Sequence, residues 1–288
     1  MSAPPIRPGR PMDGLTRRTL LRASGVAGAA ALLAGAGKIG LDAVLGRAAS
    51  DPLPTGTPIL LVVTLYGGND GLNTVVPYAD PAYLAARPTL GYAADTVLHL
   101  DGSFGLNPGM GHTAMEFAAG RVAVVHGVGY PQPDHSHFRS MDIWQTGSPS
   151  TPSTSGWLGR WLDAAGGDPL LAVNVGEVLP PLLVGESSCA AALSTAEHSP
   201  GPAVTRALAA LAVADPADPP AARLVTDSYA AYGRVATLRT DAAASGASGA
   251  SGGGKAGLAA DLDLVARCIR AGAPTRAYAA SLSGFDTH

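Results

Sequence analysis

The chain has 288 residues, of which 47% are hydrophobic and 14% charged, with a formal net charge of -3. The apolar fraction supports a sizeable core, while the charged fraction lies well below the ~25% usual for soluble domains. Together with 37 Gly and 24 Pro that follow no period, these values exclude a coiled coil, a collagen and a charged disordered chain.

Residues 1–50 read as a segment apart. Arg7, Arg10, Arg17, Arg18 and Arg22 precede an uncharged, Ala- and Gly-rich stretch from Ala23 to Gly37. A basic region followed by a short apolar one is the pattern of a secretory signal. Arg17-Arg18 with Leu20-Leu21 fits the twin-arginine form of it. The stretch is too short and too mildly apolar for a membrane span of ~20 residues. Ala48 and Ser50 suit cleavage next to Asp51, so this segment is expected to take no part in the fold. The alternative is an uncleaved amphipathic anchor. The expected partner is the twin-arginine export machinery, and the expected location is the periplasm, the cell surface or the extracellular space. Beyond residue 50 the chain holds 12 basic and 20 acidic residues, with no basic run to serve as a nucleic-acid footprint. No second apolar run approaches the length of a stable membrane span.

Residues 51–288 read as one α/β domain, because strand and helix signals alternate. Pro58–Leu65 is a nearly continuous apolar run, which predicts a strand buried on both faces of a mostly parallel sheet. It ends in the loop Gly67-Gly68-Asn69-Asp70-Gly71. A helix over Met110–Ala119 leads to a second predicted strand, Arg121–Val128. Trp157 and Trp161, four apart on a predicted helix, are expected in the core. Leu170–Val175 and Thr275–Leu282 are the third and fourth strands. Between them lie predicted helices at Val204–Val213 and Ala221–Thr240, separated by Asp215–Pro220, and then a Ser/Gly-rich loop at 245–254. The spacing of Leu262, Val265, Cys268 and Ile269 predicts a helix over Asp261–Ala271. Cys189 and Cys268 are expected to be buried and unpaired, although an exported chain permits a disulfide.

Polar residues gather just past the predicted strands, where open α/β sheets bind ligands. Asp70 sits between glycines that leave room for a cation; the same Asn-Asp-Gly is ordinary turn chemistry. Asp286 and His288 lie two apart, so an extended backbone turns both the same way, a ligand pair suited to zinc or manganese more than calcium. Asp134-His135-Ser136-His137-Phe138-Arg139 combines a hydroxyl, two imidazoles and a guanidinium, which fits nucleophilic attack on an anionic substrate. Ser136 equally suits a helix N-cap, and the two readings are compatible.

Taken in order, the Arg-Arg signal, Gly67-Gly68-Asn69-Asp70-Gly71-Leu72-Asn73, Ser136-His137-Phe138 with Trp144 and Gly147, Gly156-Trp157-Leu158 and Gly284-Phe285-Asp286-Thr287-His288 resemble the DUF1501 family. That exported family, of largely unassigned function, is related to the alkaline phosphatase and sulfatase superfamily. The resemblance implies a doubly wound, mostly parallel sheet with helices on both faces and a divalent metal, zinc, manganese or similar, at the strand ends. It implies Asp70, Asp286 and His288 as metal ligands. Ser136–Gly147 resembles the nucleophile helix; Ser136 is the expected nucleophile, although His137 stands ten before Gly147 and leaves the position open by one residue. His137 and Arg139 are expected to orient substrate. Family members continue beyond the Gly-Phe-Asp-Thr-His segment to a further Asp-His pair, so the resemblance implies that later ligands and part of the sheet are missing from this sequence, as a fragment or as a truncated product, which leaves a two-metal site incomplete. The activity implied is metal-dependent hydrolysis of phosphate or sulfate esters. The alternative is a non-catalytic exported binding or assembly protein that keeps the fold.

Overall fold

Side chains point to opposite faces at successive strand positions, and three strands of this chain carry different sizes on their two faces. Val173, Val175, Leu193 and Tyr278 fall on one side, and Ala172, Ala190, Ala192, Ala277 and Ala279 on the other. A computed structural model describes residues 38–133, 136–151, 153–176, 178–193, 210, 213 and 257–285. In chain order the elements are β1 (Lys38–Ile39), α1 (Leu41–Ser50), β2 (Leu60–Leu65), α2 (Gly71–Thr74), β3 (Val75–Val76), α3 (Pro81–Ala86), β4 (Leu98–His99), β5 (Gly105–Leu106), α4 (Gly111–Ala118), α5 (His137–Thr146), α6 (Trp157–Ala164), β6 (Ala172–Val175), β7 (Ala191–Leu193), α7 (Leu258–Arg270) and β8 (Ala277–Leu282). They fall into two compact units. The first takes the chain up to Thr64 and Asp142–Leu282, the second Leu65–Met141 and the residues from Ser283 on.

The first unit is α/β. Its five-stranded sheet has the order β1-β7-β6-β8-β2. The pairs β1/β7, β7/β6 and β6/β8 are parallel, with Val173 opposite Ala191 on one side and Tyr278 on the other. The large-residue face, which Ile39 of β1 joins, packs with α1 and α7 through Val44, Val265 and Cys268. The alanine face packs with α6 through Leu158 and Leu162. Helices therefore cover both faces of a mostly parallel sheet. Gly156 and Gly159 bring α6 onto a neighbouring loop; a Cβ on Gly159 would overlap the backbone of Val184 and Gly185. Thr275, fully buried, donates its hydroxyl to the Leu170 carbonyl at 2.7 Å and fixes the entry to β8.

Several expectations are corrected. β2 is not buried on both faces: Leu60, Val63 and Leu65 are 46%, 39% and 36% exposed. Among the described residues it is an edge strand, and a continuous apolar run reads the same at an edge as inside a sheet. Arg121–Val128 forms no strand among the described residues; it bends at Gly127, at φ +68°, and leaves Val125 and Val128 exposed. Its composition favours extended backbone, but a strand also needs a neighbour to pair with. The Asp261–Ala271 helix is present, yet its buried face is Leu264, Val265 and Cys268, while Ile269 is 40% exposed. The tryptophan pair divides: Trp161 packs against the alanine-face cluster, and Trp157 lies at 37% exposure. Residues 38–50, expected outside the fold, form β1 and α1. Ile39 and Val44 are fully buried, and Ala43 and Ala48 nearly so. These small apolar residues repeat at helical spacing, which gives α1 a face to bury. Cys189 and Cys268 are buried, are not joined in a disulfide and belong to different core clusters. The arginine pair, Ala23–Gly37 and Ala221–Thr240 lie outside the described residues, as do Asp215–Pro220, the 245–254 loop and, except for Ala210 and Val213, Val204–Val213.

The second unit holds a small antiparallel sheet of order β3-β5-β4, with Val75 opposite Leu106 and Leu98 opposite Leu106 on the far side. Its core is Val76, Tyr83 and Val97, flanked by Tyr78 and Tyr92.

Candidate functional site

β2 runs out into two left-handed glycines, Gly67 at φ +98° and Gly68 at φ +82°. Side chains are strained in that region, and glycine is not. Gly68 also makes a close approach. A Cβ there would stand 2.6 Å from Cε1 and 3.1 Å from Nδ1 of His137. The imidazole thus lies against bare backbone, and two segments almost seventy residues apart meet within the second unit.

Asp70 closes the turn. Its Oδ1 accepts the Leu72 N–H at 3.1 Å and caps α2. The Thr74 hydroxyl donates to the Asp70 carbonyl at 3.0 Å, and Asn69 Nδ2 donates to Thr74 Oγ1 at 3.1 Å. The carboxylate also carries a two-pronged ion pair with Arg87, Nη2 to Oδ1 at 3.0 Å and Nη1 to Oδ2 at 2.5 Å. The Arg87 guanidinium holds the Asp70 carboxyl below its ordinary range; partial burial opposes this, and the backbone amides of Leu72 and Asn73 add to it. Arg87 is shifted up in return. Sequence reasoning missed Arg87, which belongs to no motif. Its one signal is local: Asp80-Pro81 caps the start of α3, and Arg87 ends that helix with its N–H returning to Tyr83.

Ser136 stands at the start of α5. Its Oγ accepts the Arg139 N–H at 3.3 Å, and its carbonyl accepts the Ser140 N–H at 2.9 Å, so the cap reading holds. His137 opens the helix and is exposed, Phe138 is 91% exposed, and Arg139 is half-buried. Tyr130 Oη lies 2.6 Å from Ser140 Oγ and ties the preceding loop to the first turn. Helix-start amides favour an anion beside Ser136. Asp134, His135, Asp286 and His288 lie outside the described residues; Ser283–Phe285, which lead into the last two, group with the second unit. Among the described residues no three His, Cys, Asp or Glu side chains form a metal cluster, and no helix is long and apolar enough to cross a membrane.

A separate cavity of about 520 Å³ lies in the first unit, lined by Asp163, Gly166, Gly167, Asp168, Pro169, Ser187 and Ser188. Asp163 organises its wall. It accepts the Glu186 N–H at 2.7 Å, the Ser187 N–H and hydroxyl at 3.3 and 3.0 Å, and the Ser188 hydroxyl at 2.5 Å. Burial raises the Asp163 carboxyl, and these donors together outweigh it and leave the group below its ordinary value.

Comparison with family models, with curated proteins and with solved structures finds no match to this chain.

Proposed function

We propose that the chain is an exported, metal-dependent hydrolase of phosphate or sulfate esters, of the alkaline phosphatase-like kind. One observation carries the reading: Gly68 lies against the His137 ring, which supports taking the turn that bears Asp70 and the helix start that bears Ser136 and Arg139 as parts of one site. Asp70 suits a cation, since a guanidinium already rests on it and its side chain is 43% exposed. Asp70, with Asp286 and His288, would hold a divalent ion that draws electron density from the ester and favours attack.

In this reading Ser136 Oγ attacks the phosphorus or sulfur centre, the alcohol leaves with the serine's proton, and water then cleaves the seryl ester to release phosphate or sulfate and restore Ser136. His137, held by its contact with Gly68, orients the ester and takes or returns the proton. The Arg139 guanidinium and the first amides of α5 face the anionic oxygens as charge moves onto them. The test is hydrolysis of p-nitrophenyl phosphate and p-nitrophenyl sulfate by the full chain. Ser136→Ala should lower the rate at least ~100-fold, and EDTA should abolish it. Gly68→Ala, which drives a methyl into the imidazole, should lower kcat. Equal rates with and without EDTA, or in Ser136→Ala and the parent, would overturn the reading.

A second reading is a non-catalytic exported binding or assembly protein. The Asp70–Arg87 pair favours it, because a carboxylate neutralised by arginine is a structural brace in many folds. In that case neither ester is hydrolysed, and Asp70→Asn weakens the fold without any effect of metal.

A further inference from the structure

We propose that His99 is a proton-operated latch on the turn that joins β4 to β5: a proton taken up at Nδ1 turns the Tyr78 hydroxyl onto the Asp101 carbonyl and fastens the turn. The latch is independent of the ester-hydrolysis reading and belongs to the small sheet of the second unit.

Three polar contacts stand in one row. His99 Nε2 lies 2.8 Å from the Ala94 carbonyl, His99 Nδ1 lies 3.0 Å from Tyr78 Oη, and Tyr78 Oη lies 2.7 Å from the Asp101 carbonyl. Both ends of the row are carbonyl oxygens, which only accept. The three contacts therefore need three hydrogens. A neutral imidazole brings one and the tyrosine hydroxyl another, so one contact goes unfilled; an imidazolium brings two, and all three are filled. When the proton leaves Nδ1, that nitrogen becomes an acceptor. Tyr78 then turns its own hydrogen from the Asp101 carbonyl to the ring. Only the Nδ1–H bond breaks, and its proton passes to the water that reaches the exposed ring. The Tyr78 ring, its centroid 4.5 Å from that of His99, keeps the two groups facing each other. Histidine makes this change between ~pH 8 and ~pH 5.

The turn depends on Asp101 from both ends. The Asp101 carboxylate accepts the Ser103 and Phe104 amides at 2.7 and 2.8 Å, and the Leu100 and Asp101 amides donate to the Phe104 carbonyl at 2.9 and 3.3 Å. The Ser103 and Phe104 amides hold the Asp101 carboxyl below its ordinary value and His126 adds to this, so the carboxylate stays charged while His99 titrates. The His126 ring stacks on Phe104 at 4.4 Å, which seats Arg121–Val128, a segment with no ladder among the described residues, against the same turn. The other titratable groups on neighbouring elements are Asp95 beside Ala94 and, on α4 packed against β4, His112 and Glu116, the last paired with Arg121.

The experiment is amide hydrogen exchange of the full chain, with rates corrected for the intrinsic effect of pH. Protection of the Leu100 and Asp101 amides should rise at least ~threefold from about pH 8 to about pH 5.5. Tyr78→Phe keeps the ring and loses the hydroxyl. His99→Gln keeps an N–H for the Ala94 carbonyl and does not titrate. Each should remove the rise. A flat response in the parent, or a rise that survives in either variant, overturns the latch. A parent-only measurement guards against a misfolded variant. The His99 ring nitrogens, read by NMR through the carbon-bound ring protons, should both be protonated at about pH 5.5, and Nε2 alone at about pH 8. A neutral ring protonated on Nδ1 overturns the latch, because Tyr78 would then keep its hydrogen on the Asp101 carbonyl.

Discussion

Ile39→Ala is the sharpest test of where the folded protein begins. Ile39 is fully buried in β1, among Val44, Val173, Leu193 and Tyr278. The substitution removes three buried carbons, worth ~0.8 kcal/mol each in transfer alone. The cavity left behind raises the expected loss to ~2.5–4 kcal/mol. Val44→Ala, two carbons smaller in the same cluster, should cost ~2 kcal/mol, and the double variant should depart from additivity because the two sites share neighbours. Against a total stability of ~5–15 kcal/mol these are large fractions. The assay is urea unfolding followed by tryptophan fluorescence, which reports the first unit, since Trp144, Trp157 and Trp161 all belong to it. At a slope of ~2–3 kcal/mol per molar urea, Ile39→Ala should lower the midpoint by about 1 M with the slope unchanged. Val178→Ala, at a first-unit side chain 62% exposed, is the control and should stay within ~0.5 kcal/mol of the parent. If Ile39→Ala behaves like that control, residues 38–50 are not docked in the folded protein, and the argument from buried area fails.

Other outcomes follow from the same packing. Gly159→Ala should destabilise the first unit by ~3 kcal/mol or more, because its methyl meets backbone atoms of Val184 and Gly185 that have no rotamer to adopt; a thermal midpoint equal to the parent's would refute the close approach. Thr275→Val should cost ~1–3 kcal/mol in urea unfolding by leaving the Leu170 carbonyl without its hydroxyl donor, and Thr275→Ser should recover most of it. Asp163→Asn should lower the melting temperature at neutral pH. The native Asp163 carboxyl lies below its ordinary value, so its stabilisation is complete above about pH 5 and is lost as pH falls through the native value. The gap between parent and variant should therefore close toward pH 3, and a gap constant with pH would refute the role of the charge.

Much of the first unit is legible in the sequence. Apolar, β-rich runs mark β2, β6 and β8, and heptad-like spacing marks α7. The errors share one cause, which is that periodicity describes a segment and not its neighbours. The run that forms β2 looks like an interior strand although it has β8 on one side alone among the described residues. Arg121–Val128 has strand composition and no ladder among the described residues. In residues 38–50 the basic, small-residue character of the preceding stretch masks an amphipathic helix whose Val44 and Ala48 face the core. At the candidate site the Gly-Gly-x-Asp turn and the Ser136 cap are visible as motifs. Their meeting is not, because it depends on His137 lying over a glycine that has no side chain to betray the contact. Arg87 is hidden more deeply, since an ion pair between residues of separate elements leaves no spacing to read.

The strand order has a consequence for how the chain is made. β2 is laced to β8, with the Leu60 amide bonded to the Arg276 carbonyl at 2.9 Å, while β1 joins the opposite edge through β7. During synthesis β8 follows β2 by roughly 210 residues, which at ~5–20 residues per second is a delay of ~10–40 s. Throughout it the uncharged run Leu60-Leu61-Val62-Val63-Thr64-Leu65 has no ladder partner in its own sheet among the described residues. Six-residue windows of that composition are prone to pair with copies of themselves. Among the described strands of this sheet, its neighbour Ala277–Leu282 is the last to clear the ribosome, and until then the run depends on the rest of the nascent chain to keep it from copies of itself.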